Sequence, residues 1–140
     1  MGSRVIHSDL EKYLCSYLRA ALAAVGTALA DNVFVSNEFP EQRRPKTVVV
    51  RDDSGPAGLV TKYPAVGVTV LAGDDPADGQ EATDLALLVE ALMWGCPGTD
   101  PGNPVAAVLG STGPAKVPDD TGQPRRYLTF ELSVVGVEFP

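Results

Sequence analysis

The sequence is poor in the residues that most often build catalytic and metal sites. It has one histidine, His7, and two cysteines, Cys15 and Cys96. A hydrolytic triad or a zinc site needs several well-held side chains, and one imidazole ahead of a helix does not supply them. The cysteines lack a Cys-x-x-Cys spacing, so we expect two reduced, packed thiols. We therefore predict no catalytic residue, no metal and no cofactor, and a protein that is not an enzyme.

The acidic and glycine-rich segments also lack the motifs of ion and phosphate sites. In the acidic segment that starts at Asp74, Pro76 and Leu85 occupy the third and twelfth positions, where an EF-hand loop has acidic ligands. The segment Gly110–Gly113 lacks the lysine of a phosphate-binding P-loop. We favour helix capping over weak divalent-ion binding for the acidic segment.

Long apolar runs are missing as well. The longest candidate, Ala20–Ala30, is interrupted by Gly26 and is far shorter than the ~20 residues of a membrane-spanning helix. The first seven residues contain no apolar signal core, so we expect a soluble, intracellular protein without a membrane partner.

The length predicts one domain, residues 1–140, and 14 glycines with 12 prolines indicate many turns.

Basic residues are absent from the middle of the chain. No lysine or arginine lies between Lys62 and Lys116, although that stretch holds seven acidic residues, as many as the net charge of −7. An acidic chain is not expected to have nucleic-acid specificity. The remaining bases cluster at Arg43–Lys46 and Arg125–Arg126. One acidic surface and two basic loops favour contact between copies, and a solvated acidic face that aids solubility is the alternative.

A first amphipathic helix is predicted over residues 8–25. It opens with Ser8-Asp9-Leu10-Glu11, which has the Ser-x-x-Glu spacing of a capping box. Gly26 is expected to end it, with a further turn at Ala28–Ala30 as an alternative. Its apolar residues recur at helical spacing: Leu10, Tyr13, Leu14, Tyr17, Leu18, Ala21, Leu22 and Val25.

A second helix is predicted to open at Asp78 and to stop at Gly95. Glu81 lies three residues after Asp78, again at the capping-box spacing. Together with Asp84, these acids lie in the first turns, where the helix dipole favours negative charge. Its buried stripe is expected to comprise Ala82, Leu85, Ala86, Val89, Leu92 and Met93.

Five strand-like segments accompany the helices. Three precede the second helix and two follow it, at residues 32–37, 47–51, 66–71, 105–109 and 126–137, with Pro114–Val117 as a possible extension of the fourth. In the last strand Leu128, Phe130, Leu132 and Val134 alternate with more polar residues, which is typical of an antiparallel sheet with one buried face. Asp119–Gly122 is predicted to form the turn between the last two strands.

The order α-β-β-β-α-β-β predicts an α+β fold. We expect a mixed, mainly antiparallel sheet of about five strands covered by two helices.

Four segments carry a resemblance to a known family. They are the Leu-x-x-Tyr-Leu helix at Leu10–Leu14, the valine strand Thr47–Arg51, the helix Ala82–Trp94 with its Gly/Pro break, and the closing pattern Gly113–Tyr127. The last contains a Gly-Pro, a Pro-Asp-x-Thr-Gly turn and an Arg-Tyr before the final strand. Together they resemble the tail terminator (tail completion) proteins of long-tailed bacteriophages, in a version typical of phages of high-GC actinobacteria.

The resemblance implies a structural role in the virion. Members of that family form a ring, usually of six copies, on the head-proximal end of the tail tube. They stop tube polymerisation and present a surface to the head-tail connector. The expected partners are therefore further copies of the chain, the tube protein and the connector. The expected location is the head-tail junction of the virion, after assembly in the host cytoplasm.

Charged residues are the candidate contact residues of such a ring. We expect the basic loop, Arg43, Arg44 and Lys46, to lie at a subunit contact or to line the lumen near the tube. The acids Asp78, Glu81 and Asp84 would face a basic loop of the next subunit, and Arg125 and Arg126 are further candidates. Solvated loop charges are the alternative interpretation.

Two other functions compete with this one. A head-tail stopper from the same phage module is the nearer rival, although stoppers tend to be small β-barrels and two helices are predicted here. A cytoplasmic ligand-binding or enzymatic α+β domain is the other. It would require a pocket between helices and sheet in which several polar groups converge.

Overall fold

Two α-helices and eight strands follow one another in residues 4–139, the part of the chain that the computed structural model describes. The elements are β1 (Val5–Ile6), α1 (Leu10–Val25), β2 (Phe34–Ser36), β3 (Lys46–Asp52), β4 (Thr61–Lys62), β5 (Ala65–Ala72), α2 (Gln80–Trp94), β6 (Val105–Lys116), β7 (Arg125–Val135) and β8 (Val137–Glu138). The alternative turn at Ala28–Ala30 is present as a 3-10 helix. The predicted α+β class is confirmed, and β1, β4 and β8 are additions to the predicted order.

The main sheet has six strands and is mixed. β2 runs parallel to β3, whereas β3 with β5, β5 with β7, and β6 with β7 are antiparallel. Val134 of β7 pairs with Val105 of β6 and also with Lys62 of β4, so β6 and β4 flank β7 on opposite sides. β1 and β8 form a separate two-stranded antiparallel sheet. The predicted five long strands are all present, and β4 is the sixth.

Both helices pack on one face of this sheet. Side chains alternate between the faces of a strand, so every second residue of β3, β5 and β7 points towards the helices. These residues are fully or almost fully buried: Val48, Val50, Val66, Val68, Val70, Leu128, Phe130, Leu132 and Val134. The predicted alternation in the last strand is thus confirmed. The helices contribute Leu14, Leu18, Leu85, Val89 and Met93. Burial of each such side chain stabilises the fold by about 1.5–3 kcal/mol.

The start of α1 differs from the prediction. Asp9, and not Ser8, is the N-cap, and its carboxylate accepts a hydrogen bond from the Lys12 amide at 3.1 Å. Glu11 does not reach back to the cap. Its carboxylate accepts hydrogen bonds from the Asp52 amide at 2.8 Å and from the Asn37 side chain at 3.1 Å. The predicted capping box is wrong because Glu11 satisfies a backbone amide at the end of β3 instead.

The remaining boundaries are close to those predicted. α1 ends at Gly26, which adopts the left-handed conformation expected of a C-cap glycine. α2 begins at Gln80, two residues after the predicted Asp78, with Gly79 as its N-cap. Asp78 precedes the helix and accepts a hydrogen bond from the Gln80 amide at 3.3 Å. The last long strand ends at Val135, before Gly136.

Candidate interaction surfaces

The basic loop lies beside the start of the acidic segment, at Gly73 and Asp74, within one chain. The guanidinium of Arg43 donates a hydrogen bond to the Gly73 carbonyl at 3.3 Å and lies 3.9 Å from the Asp74 carboxylate. Gln123 is buried between the two loops. Its side-chain amide donates to the carbonyls of Arg44 at 2.9 Å and of Gly73 at 3.1 Å. Part of the charge complementarity read from the sequence is therefore used within the fold.

Lys46 and Arg44 also have partners in their own chain. The ammonium of Lys46 donates hydrogen bonds to the Ala28 and Asp31 carbonyls, around the 3-10 turn that follows α1. A cation suits that position because backbone carbonyls at a helix end lack amide partners. The Arg44 guanidinium lies over the Phe34 ring, 4.3 Å from its centroid, in a cation–π contact. Arg43 and Arg44 remain exposed and accessible to a partner.

Arg125 lies beside the turn of the β6–β7 hairpin. Its guanidinium is 3.4 Å from the Asp119 carboxylate and 5.3 Å from the Phe39 ring centroid. Burial raises the pKa of Asp119, but hydrogen bonds from Thr121 and the charge of Arg125 outweigh it, so the pKa lies below its ordinary value. This ion pair holds the turn to the start of β7.

Arg126 is buried, at 7% exposure, rather than displayed on a loop. Its guanidinium donates to the Thr83 hydroxyl at 3.1 Å and to the Gly79 carbonyl at 3.2 Å, which joins the start of α2 to β7. A third bond goes to the Arg125 carbonyl at 3.0 Å. Every guanidinium nitrogen therefore has a partner in its own chain, and Arg126 is a structural residue rather than a contact residue.

The predicted acidic residues of the second helix face solvent. Asp78, Glu81 and Asp84 are all exposed, and Asp84 accepts a hydrogen bond from the Gln80 side chain at 2.8 Å. α2 contains no lysine or arginine to neutralise them. The acidic side of the predicted subunit contact is therefore free to bind a partner.

Apolar side chains continue this acidic face towards the end of α2, a feature that the sequence analysis missed. Leu87 and Trp94 are 47% and 46% exposed, and Ala91 lies exposed between them on the same helix face. The Trp94 indole donates a hydrogen bond to Ser111 of β6 at 3.2 Å. Leu109 of β6 is also exposed. We call Glu81, Asp84, Leu87, Ala91, Trp94 and Leu109 the α2 surface.

A second apolar surface forms where three distant segments meet. β1 pairs with β8, the Gly136 amide donates to the Val60 carbonyl at 2.8 Å, and His7 lies 3.3 Å from the Leu59 carbonyl. Its apolar members are 38–65% exposed, and with one base they make up what we call the terminal surface: Arg4, Ile6, Leu59, Val60, Val135, Val137 and Phe139. The contact with the Leu59 carbonyl also holds the His7 ring in place, which the sequence gave no reason to expect.

Three polar side chains, those of His7, Asp52 and Lys62, line a hollow of about 290 Å³ near the start of α1, and the buried Nδ1 of His7 has no hydrogen-bond partner among the described residues. No three histidine, cysteine or acidic side chains lie close enough to hold a metal ion in this range. The thiols of Cys15 and Cys96 are free and buried, and burial raises the pKa of Cys96 to about 11. A hollow of about 500 Å³ between the start of α2 and the hairpin turn is lined by Lys116 and Arg125 among others, but Arg125 is already paired with Asp119.

Comparisons with known proteins add no assignment to this geometry. No protein-family model matches the chain, and a search of curated proteins gave no significant match. Neither helix in residues 4–139 has the length and hydropathy needed to cross a membrane. The features that bear on function are the two exposed apolar surfaces and the acidic start of α2.

Proposed function

We propose that this chain is a structural protein of a bacteriophage tail, the subunit of a ring on the head-proximal end of the tail tube. The ring ends tube polymerisation and forms part of the head-tail joint. Its partners are further copies of the chain, in a ring that is usually hexameric in the family it resembles, together with the tube protein and the connector. The protein is assembled in the host cytoplasm and resides in the virion.

Exposed apolar surface is the observation that carries the proposal. Single exposed hydrophobic side chains are common on soluble proteins, whereas grouped ones mark interaction sites. Here they form two separate groups, the α2 surface and the terminal surface, in a chain whose sequence offers no catalytic motif. A protein that works by assembly needs such surfaces on each copy.

The positions of the four resembling segments give further support. Leu10–Leu14 lies in α1, Thr47–Arg51 in β3, and Ala82–Trp94 in α2. Gly113–Tyr127 forms the outer part of the β6–β7 hairpin together with its turn. All four belong to one α+β domain, so the likeness is spread over the whole fold rather than confined to one element.

Tube assembly provides the test. The tube protein encoded in the same genome is allowed to polymerise with and without this chain, and tube lengths are measured by electron microscopy. We expect shorter tubes, each with a ring at one end. Unchanged tube lengths, together with no density at the tube ends, contradict the proposal.

The basic loop is tested in the same assay with a variant that keeps the contacts of Lys46. Arg43 and Arg44 are replaced by glutamate, and Lys46 is kept because it binds the carbonyls of Ala28 and Asp31. If the loop contacts the tube or the next subunit, the variant no longer limits tube length. The control is Lys12→Glu, which changes an exposed cation on α1. If the wild type and the loop variant limit tube length equally, Arg43 and Arg44 do not belong to the interface.

A further inference from the structure

We propose that the α2 surface of one copy binds the terminal surface of a second copy, so that copies join head to tail. The proposal deepens the proposed function and rests on it, because it names the two surfaces that would hold a ring together. The α2 surface includes Glu81 and Asp84, which the sequence already suggested for a subunit contact, whereas the terminal surface shares no residue with the predicted contacts.

The α2 surface combines apolar side chains with two exposed acids, Glu81 and Asp84. Leu87, Ala91 and Trp94 lie along the outer face of the helix, and Glu81 and Asp84 lie one to two turns nearer its start. No base occurs between Lys62 and Lys116, so this region of sequence supplies no cation to the acids. A partner for this surface should therefore be apolar and carry bases at its margin.

The terminal surface has those properties. Ile6 lies opposite Val137 in the β1–β8 pair, so their side chains share one face of that small sheet. Arg4 places its guanidinium 5.3 Å from the centroid of the Phe139 ring, which lies on this surface. Glu138 is paired with Val5 and so points to the other face. The apolar face is therefore accompanied by positive rather than negative charge.

The topology separates the two surfaces. The α2 surface includes Leu109 of β6, whereas the terminal surface includes Leu59 and Val60 directly before β4, and β6 and β4 flank β7 on opposite sides. One copy can therefore use both surfaces at once, each for a different neighbour. Contact between two unlike surfaces is heterologous, and it generates a ring when the rotation between copies closes. Pairing of two α2 surfaces would instead bring together the exposed acids Glu81 and Asp84 of both copies.

Two variants remove one surface each. The first carries Leu87→Gln and Trp94→Gln, and the second carries Ile6→Thr and Val137→Glu; all four positions are exposed, so the core is unchanged. Ala23→Gln, an exposed change on α1, is the matched control. Circular dichroism establishes that each variant is folded. Light scattering then measures the mass in solution as a function of protein concentration.

Mixing the two variants is the decisive measurement. We expect the wild type and the Ala23→Gln control to form species larger than a dimer, and each surface variant alone to remain at the chain mass of 14.7 kDa. Each variant keeps the surface that the other has lost, so an equimolar mixture should form a heterodimer of twice that mass and stop there. Association of either variant with itself should be weakened roughly 100-fold or more.

Three results overturn the inference. These are a mixture that stays monomeric, a surface variant that assembles like the wild type, and a wild type that stays monomeric at all concentrations. The tube assay separates this failure from that of the proposed function. If both variants assemble normally and still shorten tubes, the surfaces are wrong and the proposed function stands. If the wild type leaves tubes unchanged, the proposed function fails, and the mixing experiment still decides the contact.

Discussion

The two faces of the main sheet differ in composition and in what covers them. On the helix-covered face, β7 contributes Leu128, Phe130 and Leu132, all completely buried. On the opposite face, β7 contributes Tyr127 and Thr129, which are partly exposed. Tyr127 lies across Gly67 of β5, and its hydroxyl accepts a hydrogen bond from Arg51 at 3.2 Å. The first face holds the fold by apolar packing, and the second is organised by a few polar contacts.

The largest expected effect follows from truncating the packed face. Phe130→Ala removes the largest of the fully buried side chains and leaves a cavity between sheet and helices. We expect it to lower the free energy of unfolding by about 3–5 kcal/mol. Thr129→Ala, one residue away on the other face, should cost less than about 1 kcal/mol. Urea denaturation measures both, and equal losses would contradict the contrast between the faces.

Arg126 is the exception on the packed face, because it is a buried cation among apolar neighbours. Arg126→Met keeps an unbranched side chain but leaves the carbonyl of Gly79 and the hydroxyl of Thr83 without their donor. We expect a loss of about 1–3 kcal/mol in urea denaturation. The matched change Arg125→Met removes a partly exposed ion pair and should cost about 1 kcal/mol or less. A larger loss of stability for Arg125→Met than for Arg126→Met would show that Arg126 does not hold α2 to β7.

The polar face can be tested at the close approach of Tyr127 to Gly67. A Cβ on Gly67 would overlap the Tyr127 hydroxyl, so Gly67→Ala must displace the ring and break its contact with Arg51. We expect a loss of about 1 kcal/mol, since one partly exposed hydrogen bond is broken. Gly110→Ala is the control, because a Cβ there meets no atom within 4 Å.

A double-mutant cycle identifies the cause of that loss. In the Tyr127→Ala background the obstacle is gone, and Gly67→Ala should become neutral or stabilising because alanine suits a strand interior better than glycine. A loss that persists in this background would show that the tyrosine is not responsible.

The smallest effect concerns pH and the hairpin turn. The folded-state pKa of Asp119 lies below its ordinary value of about 3.9, so its ionised form stabilises the fold above that pH. The contribution is lost as the pH falls through the lower folded-state pKa. Asp119→Asn should cost less than about 1 kcal/mol at pH 6, and the difference from wild type should shrink as the pH falls from about 4 towards the folded-state pKa.

Asp120→Asn serves as the control for that experiment. It makes the same change of charge one residue away, at an exposed position, while Arg125 is paired with Asp119. Thermal unfolding of the three proteins between pH 3 and pH 7 measures the difference. A pH dependence that is the same for both variants would indicate general charge rather than the Asp119–Arg125 pair.

Periodic features of the fold could be predicted from the sequence. The apolar spacing of α1 and the alternation in β7 extend over many residues, so the pattern identifies both the element and its buried face. The burial of Arg126 could also have been predicted. Arg126, Leu128 and Phe130 are alternate residues of the last strand, so their side chains point to the same face. The charge of Arg126 led to a surface assignment, although the strand period placed it among the helix-facing residues.

The two apolar surfaces differ in how far sequence could reveal them. Leu87 and Trp94 lie outside the buried stripe of α2, so apolar residues on its outer face were a signal that could have been used. The terminal surface gave no local signal. It depends on pairing Val5–Ile6 with Val137–Glu138, and two-residue strands at opposite ends of the sequence have no periodicity to recognise.

The β1–β8 pair has a practical consequence for anyone who handles the protein. Because Val5–Ile6 and Val137–Glu138 run side by side, a purification tag fused at either end emerges beside Ile6, Val137 and Phe139. Such a fusion can shield that region from a neighbouring molecule and make an associating protein look solitary. Preparations from which the tag has been cleaved avoid this artefact.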